Sequence, residues 1–225
     1  PLMVAADLNR LKNTSRWLPA IEVFGEGIFF NLNELKLQQW EARPDILART
    51  RILQERHRQS LGRFLPNPTP RFLLLHTLAH LLIRQLSFEC GYTLASLRER
   101  IYAAEQSTGF PMAGILIYTA AGDAEGTLGG LVREGEANRM LSTIIKALQT
   151  SDWCSSDPLC RESHGQGMDA MNLAACHICA LLPETSCSIS NRLLDRAALI
   201  GSTDKPELGF FSELMEQILQ TMSIG

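Results

Sequence analysis

The chain has no uninterrupted apolar run of the length, about eighteen residues, that a membrane-spanning helix needs. Its longest candidate, Phe72 to Leu86, is broken by His76, His80 and Arg84. The opening stretch PLMVAADLNRLKNTSRW lacks the basic start, apolar stretch and small-residue cleavage site of a secretory leader, so the cytoplasm is the expected compartment. It also lacks an initiator Met, which leads us to expect a fragment or a processed product of a longer polypeptide. Charge of one sign is not in excess: 21 Lys and Arg stand against 24 Asp and Glu, a net of −3. That balance argues against binding nucleic acid over the whole surface by bulk electrostatics. No Walker A or B sequence occurs, so any ATPase activity is expected in a partner or elsewhere in a parent chain. The His-Glu-x-x-His helix of metalloproteases and the His-x-Glu with Pro-Cys-x-x-Cys of zinc deaminases are missing too.

What remains is ordinary globular material. With 225 residues, 45% hydrophobic and 20% charged, the chain can bury a substantial core in one large domain or two small ones. Alternating polarity around Gly-Glu-Gly in AIEVFGEGIFFNL predicts a hairpin with strands Ile21 to Phe24 and Gly27 to Leu32. Asn33 caps an expected helix to about Ala42, and a second covers Asp45 to Gly62 before PNPTP stops it. Pro70 to Glu89 is apolar on nearly every side and predicts a buried central helix. Thr93 is read as the cap of a helix carrying Leu94, Leu97 and Ile101, and AGILIYTAA as a buried strand. A helix from Leu131 to Thr150, a short one within SNRLLDRAALIG between Ser190 and Gly201, and an amphipathic tail complete the pattern. The expected class is helix-rich α+β, with a small β-sheet and a C-terminal metal-bound lobe. Its expected divisions are an N-terminal hairpin and basic segment over 1–66, a metal-binding domain over 67–201 and a C-terminal helix over 202–225.

Five of the six cysteines, Cys154, Cys160, Cys176, Cys179 and Cys187, fall in one stretch with gaps of five, fifteen, two and seven residues. Zinc takes four soft or borderline ligands in a tetrahedron, and the Cys176-x-x-Cys179 pair supplies two thiolates from one tight turn. Cys160 and Cys187 flank that pair at distances a loop can close, so the expected set is Cys160, Cys176, Cys179 and Cys187. Cys154 is the alternative ligand. Four thiolates leave no open coordination position, which makes such a site structural rather than catalytic. A redox pair is the lesser reading among so many neighbouring cysteines, and disulfides do not suit a cytoplasmic chain. Inert burial is the reading for Cys90. His164 and His177 rank below the thiols as ligands.

His76, His80 and Arg84 recur every four residues and share one face of the central helix. A polar stripe there is expected to be hydrogen-bonded internally or to order the Asp123 to Gly130 loop. An alternative reading is a metal-dependent nuclease or other hydrolase built from His76, His80, Asp123 and Glu125. The DAEGTLGG loop itself lacks the Lys of a Walker A loop and the glycine spacing of the dinucleotide fingerprint, and is read as a tight turn. Between Ala42 and Arg71 the chain is locally basic. Arg49, Arg51, Arg56, Arg58 and Arg63 are the candidates for contacts to a phosphate backbone, the alternative being a solvated helix face.

HTLAHLLIRQL, GTLGGL, SSDPLC, NLAACHICALLPETSC and NRLLDR, in that order, resemble the MrfA-type zinc-binding domain. This domain, long catalogued as one of unknown function, is carried by certain superfamily 2 DNA helicases and by bacterial antiphage proteins. With WLPAIEVFGEGIFF upstream, the chain looks most like members of the DrmB kind, from the DISARM defence system. The resemblance runs from about Trp17 to Gly201. It implies zinc held by cysteines, a hetero-complex with a DrmA-type helicase subunit, and binding of DNA. Helicase members carry Gly-Cys-Pro-x-Cys at the middle pair, whereas this chain has Ala-Cys-His-x-Cys.

Overall fold

A computed structural model describes residues 25–60, 65–119 and 130–222. The expected strand Ile21 to Phe24, Arg63, Asp123 and Glu125 lie outside the described residues. Three strands, β1 (Gly27–Asn31), β2 (Leu97–Ala104) and β3 (Met112–Thr119), form an antiparallel sheet in the order β1-β3-β2. Helices α1 (Glu34–Glu41), α2 (Pro44–Gln59) and α3 (Pro70–Cys90) follow β1 and precede the other strands. After the sheet come α4 (Gly130–Glu134), α5 (Ala137–Ser151), α6 (Ala197–Ile200) and α7 (Ser212–Met222). The protein is thus helix-rich α+β with a small sheet and a cysteine cluster in its C-terminal region. Among the described residues no helix is long and apolar enough to cross a membrane.

Two of the helices begin at side-chain caps. Asn33 accepts the Lys36 amide at 3.0 Å and starts α1, and Thr69 accepts the Phe72 amide at 3.2 Å and starts α3. Gly91 closes α3 with φ of 76°, a left-handed turn that costs glycine little. Between those caps α3 buries Leu74, Leu75, Leu78, Leu82, Ile83 and Leu86 against the sheet and α5, at roughly 2 kcal/mol for each leucine removed from water. One core cluster joins Leu37 and Trp40 of α1, α3, the sheet, α5, α6 and Leu208.

Three elements differ from expectation. The segment after Thr93 is a single 3-10 turn, Leu94–Ser96, and then strand β2. Leu97 and Glu99 are both buried on the face toward α3, and the charge on Glu99 hides the period-two alternation that marks a strand. The helix expected from Leu131 to Thr150 is broken after Glu134, where Gly135 lies against Ile28 of β1 and leaves room for no large side chain. SNRLLDRAALIG is helical only over Ala197–Ile200, because Ser190, Asn191 and Leu193 all take positive φ.

Arginine 71, inside the locally basic stretch, is 0% exposed. Its guanidinium donates to both carboxylate oxygens of Glu41, at 3.1 and 2.6 Å, and to both of Glu34, at 2.8 and 3.2 Å. It also donates to the carbonyls of Ala104 and Met112, so this one side chain ties α1 to the adjoining ends of β2 and β3.

Candidate metal centre

The WCSSDPLC loop leaves α5 and folds around the carboxylate of Asp157. That carboxylate accepts the amides of Cys154 and Arg161, each at 3.0 Å, and the guanidinium of the fully buried Arg196 at 2.6 Å. Cys154 and Cys160 therefore face inward from the two ends of one tight loop. Opposite them, Cys176 and Cys179 sit in a turn closed by the Ala180 amide on the Cys176 carbonyl, while the Cys176 amide donates to the Cys179 sulfur.

The four sulfurs lie within 4.8 Å of one another. Cys154 to Cys176 is 3.6 Å, Cys160 to Cys179 is 3.7 Å and Cys176 to Cys179 is 3.8 Å. These separations are far too long for a disulfide, whose sulfurs sit about 2 Å apart. They equal the edge of a tetrahedron with metal–sulfur bonds of about 2.3 Å, an edge of about 3.8 Å, so the four thiols fit zinc. The Cys179 thiol hydrogen-bonds to Cys160 and holds it down at about 5 despite burial; the same bond, with burial, pushes Cys179 up. Burial raises Cys154 as well. Zinc binding would release the remaining thiol protons, which couples the site to pH.

The structure gathers Cys154 with Cys160, Cys176 and Cys179, and places Cys187 elsewhere. The spacing argument chose Cys187 over Cys154 because a seven-residue loop can close on the pair. Instead, that loop runs along the His76–His80 face of α3 and carries Cys187 to His76. His164 and His177 are exposed and belong to neither cysteine-containing cluster, and Cys90 is half-buried and likewise apart from both.

Cys187 joins His76, His80 and Glu99 in a second group whose donor atoms also lie within 4.8 Å. All four residues are buried. The polar stripe on α3 thus faces β2 and the 178–193 segment, and the Asp123 to Gly130 loop is largely outside the described residues. Each member of the stripe holds that segment. His76 Nδ1 meets the Leu193 carbonyl at 3.2 Å, His80 Nδ1 meets the Ala180 carbonyl at 2.8 Å, and Arg84 donates to the carbonyls of Ile178 and Leu181. On the inner side, His76 Nε2 lies 2.9 Å from Glu99 Oε1 and 3.3 Å from the Cys187 sulfur. Burial alone would lower His76 and His80, but the Glu99 carboxylate outweighs it and raises both, His80 to about 9. Burial would raise Glu99 and Cys187, yet the imidazoles beside them bring Glu99 down and Cys187 to about 6.

Of the four candidate arginines among the described residues, two face the protein and are structural. Arg49 makes a bidentate pair with Asp195, at 2.6 and 2.9 Å, with side chains only 12% and 1% exposed. Arg56 donates to the Ala170 carbonyl at 2.8 Å. Arg51 and Arg58, seven residues apart and so on one face of α2, are exposed.

A shallow groove beside Cys179 is lined by Leu81, Phe88, Lys146, Trp153 and Ile178 among others. Phe88 is 85% exposed and Trp153 71%, so large apolar groups line this groove. Sequence reasoning did not single out Phe88 or Trp153; nor did it find Glu99, whose only signal was a lone carboxylate between Leu97 and Ile101.

Comparison with known proteins adds two findings. The family model of the MrfA Zn-binding domain matches residues 78–180, which include Cys154, Cys160, Cys176 and Cys179 but not Cys187. The DISARM protein DrmB of Bacillus paralicheniformis is 38% identical over 204 residues, 88% of this chain. The chain spans about a third of that relative's length, 36%.

Proposed function

We propose, from the match of residues 78–180 to the MrfA Zn-binding domain and the 38% identity to the DISARM protein DrmB over 88% of the chain, that this is a zinc-stabilised, non-enzymatic module of an antiphage defence complex. The observation that carries the reading is the set of four sulfurs, Cys154, Cys160, Cys176 and Cys179, at tetrahedral separations. Four thiolates satisfy zinc completely and leave no position for a substrate or an activated water. The metal's part is then to pin the WCSSDPLC loop to the CHIC turn in a region with little regular structure of its own.

Two surfaces suit the partners of such a module. Trp153, Ile178 and Phe88 beside the zinc lobe offer a protein partner, of the DrmA helicase type, rigid apolar anchors on loops that the metal holds still. Arg51 and Arg58 offer a DNA backbone two exposed charges on one helix face. Replacing both arginines by Ala is expected to weaken DNA binding about uniformly across sequences and to flatten its salt dependence. Unchanged affinity and an unchanged salt slope would remove DNA from this face. Trp153→Ala with Phe88→Ala is expected to weaken association with the helicase subunit and leave zinc content unchanged.

The hydrolase reading finds less support, since His76 and His80 are buried and turned toward Glu99 and Cys187. A nuclease assay with added Mg²⁺ or Mn²⁺ is expected to show no cleavage. Cleavage that disappears in His80→Ala would restore that reading.

A further inference from the structure

We propose that His76, His80, Glu99 and Cys187 form a second, wholly internal metal site, selective for zinc, distinct from the four-cysteine centre. The argument begins with the outer ring nitrogens. A backbone carbonyl can only accept, so the contacts of His76 Nδ1 to Leu193 and of His80 Nδ1 to Ala180 place a hydrogen on each Nδ1. In the neutral rings both Nε2 atoms then carry lone pairs, and both point into the same space. This is the arrangement metal-binding histidines adopt, with the far nitrogen fixed by a carbonyl and the near one free to ligate.

The groups meeting them there, a carboxylate and a cysteine sulfur that as thiolate can only accept, are acceptors as well. Glu99 Oε1 lies 2.9 Å from His76 Nε2 and 3.5 Å from His80 Nε2, and the Cys187 sulfur lies 3.3 Å from His76 Nε2. The 2.9 Å approach is an ion-pair distance, yet neither Glu99 oxygen, nor His80 Nε2, makes a hydrogen bond of acceptable geometry. All three are polar atoms buried without a hydrogen-bond partner, a condition that costs stability, most of all for a charged group. What would satisfy all four donor atoms at once is a cation between them. A zinc ion with a carboxylate, a thiolate and two neutral imidazoles makes an electrically neutral set, whereas two protonated rings only 4.5 Å apart would repel each other.

The separations agree with that occupant. Zinc bonds of about 2.0–2.3 Å to nitrogen, oxygen and sulfur in a tetrahedron put the ligand atoms about 3.3–3.6 Å apart, close to the distances above. One soft sulfur, two imidazoles and one carboxylate suit zinc better than the all-oxygen shells of magnesium or calcium. The surrounding shell is built as well: the Asn191 amide donates to the Cys187 sulfur at 3.3 Å. Asn191 and Leu193, both in left-handed conformations, turn that amide and the Leu193 carbonyl toward the site. Such backbone strain in two non-glycine residues is the kind that persists where the surroundings fix it. A metal here would join α3, β2 and the 180–193 loop, three segments that the four-cysteine centre does not itself connect.

Elemental analysis of the purified protein tests the site by difference. Glu99→Gln and His80→Ala are each expected to lose one equivalent of zinc while keeping the intense cobalt-substituted thiolate spectrum of the four-cysteine centre. Cys154→Ser is expected to lose the other equivalent and that spectrum. Wild-type metal content in both Glu99→Gln and His80→Ala would overturn the proposal. Because either variant can fail to fold, the unaltered protein provides the second measurement, anomalous scattering from its crystals at the zinc absorption edge. A peak between His76, His80, Glu99 and Cys187 is the expected result, and density at the four-cysteine centre alone overturns it.

Discussion

Two cysteines with similar sequence credentials have opposite surroundings in the fold. Cys154 sits 3.6 Å from the Cys176 sulfur, in a loop whose shape Asp157 sets through the Cys154 amide. Cys187 sits against His76 with the Asn191 amide on its sulfur. Cys154→Ser is therefore expected to abolish the tetrathiolate cobalt spectrum, and Cys187→Ser to preserve it; titration of each variant with Co²⁺ distinguishes them. The arginines divide in the same way. Arg49→Ala leaves Asp195 buried and unpaired, and is expected to lower stability by about 3 kcal/mol in urea denaturation. Arg51→Ala, at an exposed position, is expected to change stability by less than about 0.5 kcal/mol. From sequence the five arginines were alike, because only packing distinguishes a side chain that anchors α2 from one that faces solvent.

At the scale of elements, α1 is held by its buried Leu37 and Trp40 and by one arginine clamp. Arg71→Ala removes the donor that holds Glu34, Glu41 and the carbonyls at the ends of β2 and β3. We expect a loss of about 3 kcal/mol, read as a lower urea midpoint, with hydrogen exchange rising first in α1. Helix α1 was legible through Asn33, which caps an amide three residues on, and α3 through its unbroken apolar character. Strand β3 was legible because it is apolar nearly throughout and buried along most of its length. Strand β2 was not, and the reason is Glu99. A carboxylate at a core-facing position reads as solvent-facing until its partners are known, and those partners lie 19 and 23 residues back on another element. The same distance hid the work of the α3 stripe. Four-residue spacing placed His76, His80 and Arg84 on one face, but the carbonyls they hold lie about 100 residues later, in a segment with no regular structure to predict.

For the whole molecule, the fold reads as an apolar assembly of α3, the sheet and α5, with a loop lobe that packs Met171, Leu173, Leu182, Ile189 and Leu193 into the apolar clusters of α2 and α3 and is tied further by polar contacts and its four cysteines. Residues 152–196 contain almost no regular structure, and their fixed points are the four cysteines, Asp157, Arg196 and the α3 stripe. Which cysteines would form the centre lay beyond the sequence, because a Cys-x-x-Cys turn accepts a second pair from either side. That zinc was involved did not, because five cysteines in so short a stretch are hard to explain otherwise. Loss of the metal should then unfold the lobe before the core. Hydrogen exchange read by mass spectrometry, before and after zinc removal by a strong chelator, tests this most directly. We predict that protection disappears across residues 152–182 while the amides of α3, β2 and β3 keep most of theirs. Protection of 152–182 that survives complete removal of zinc would contradict the account.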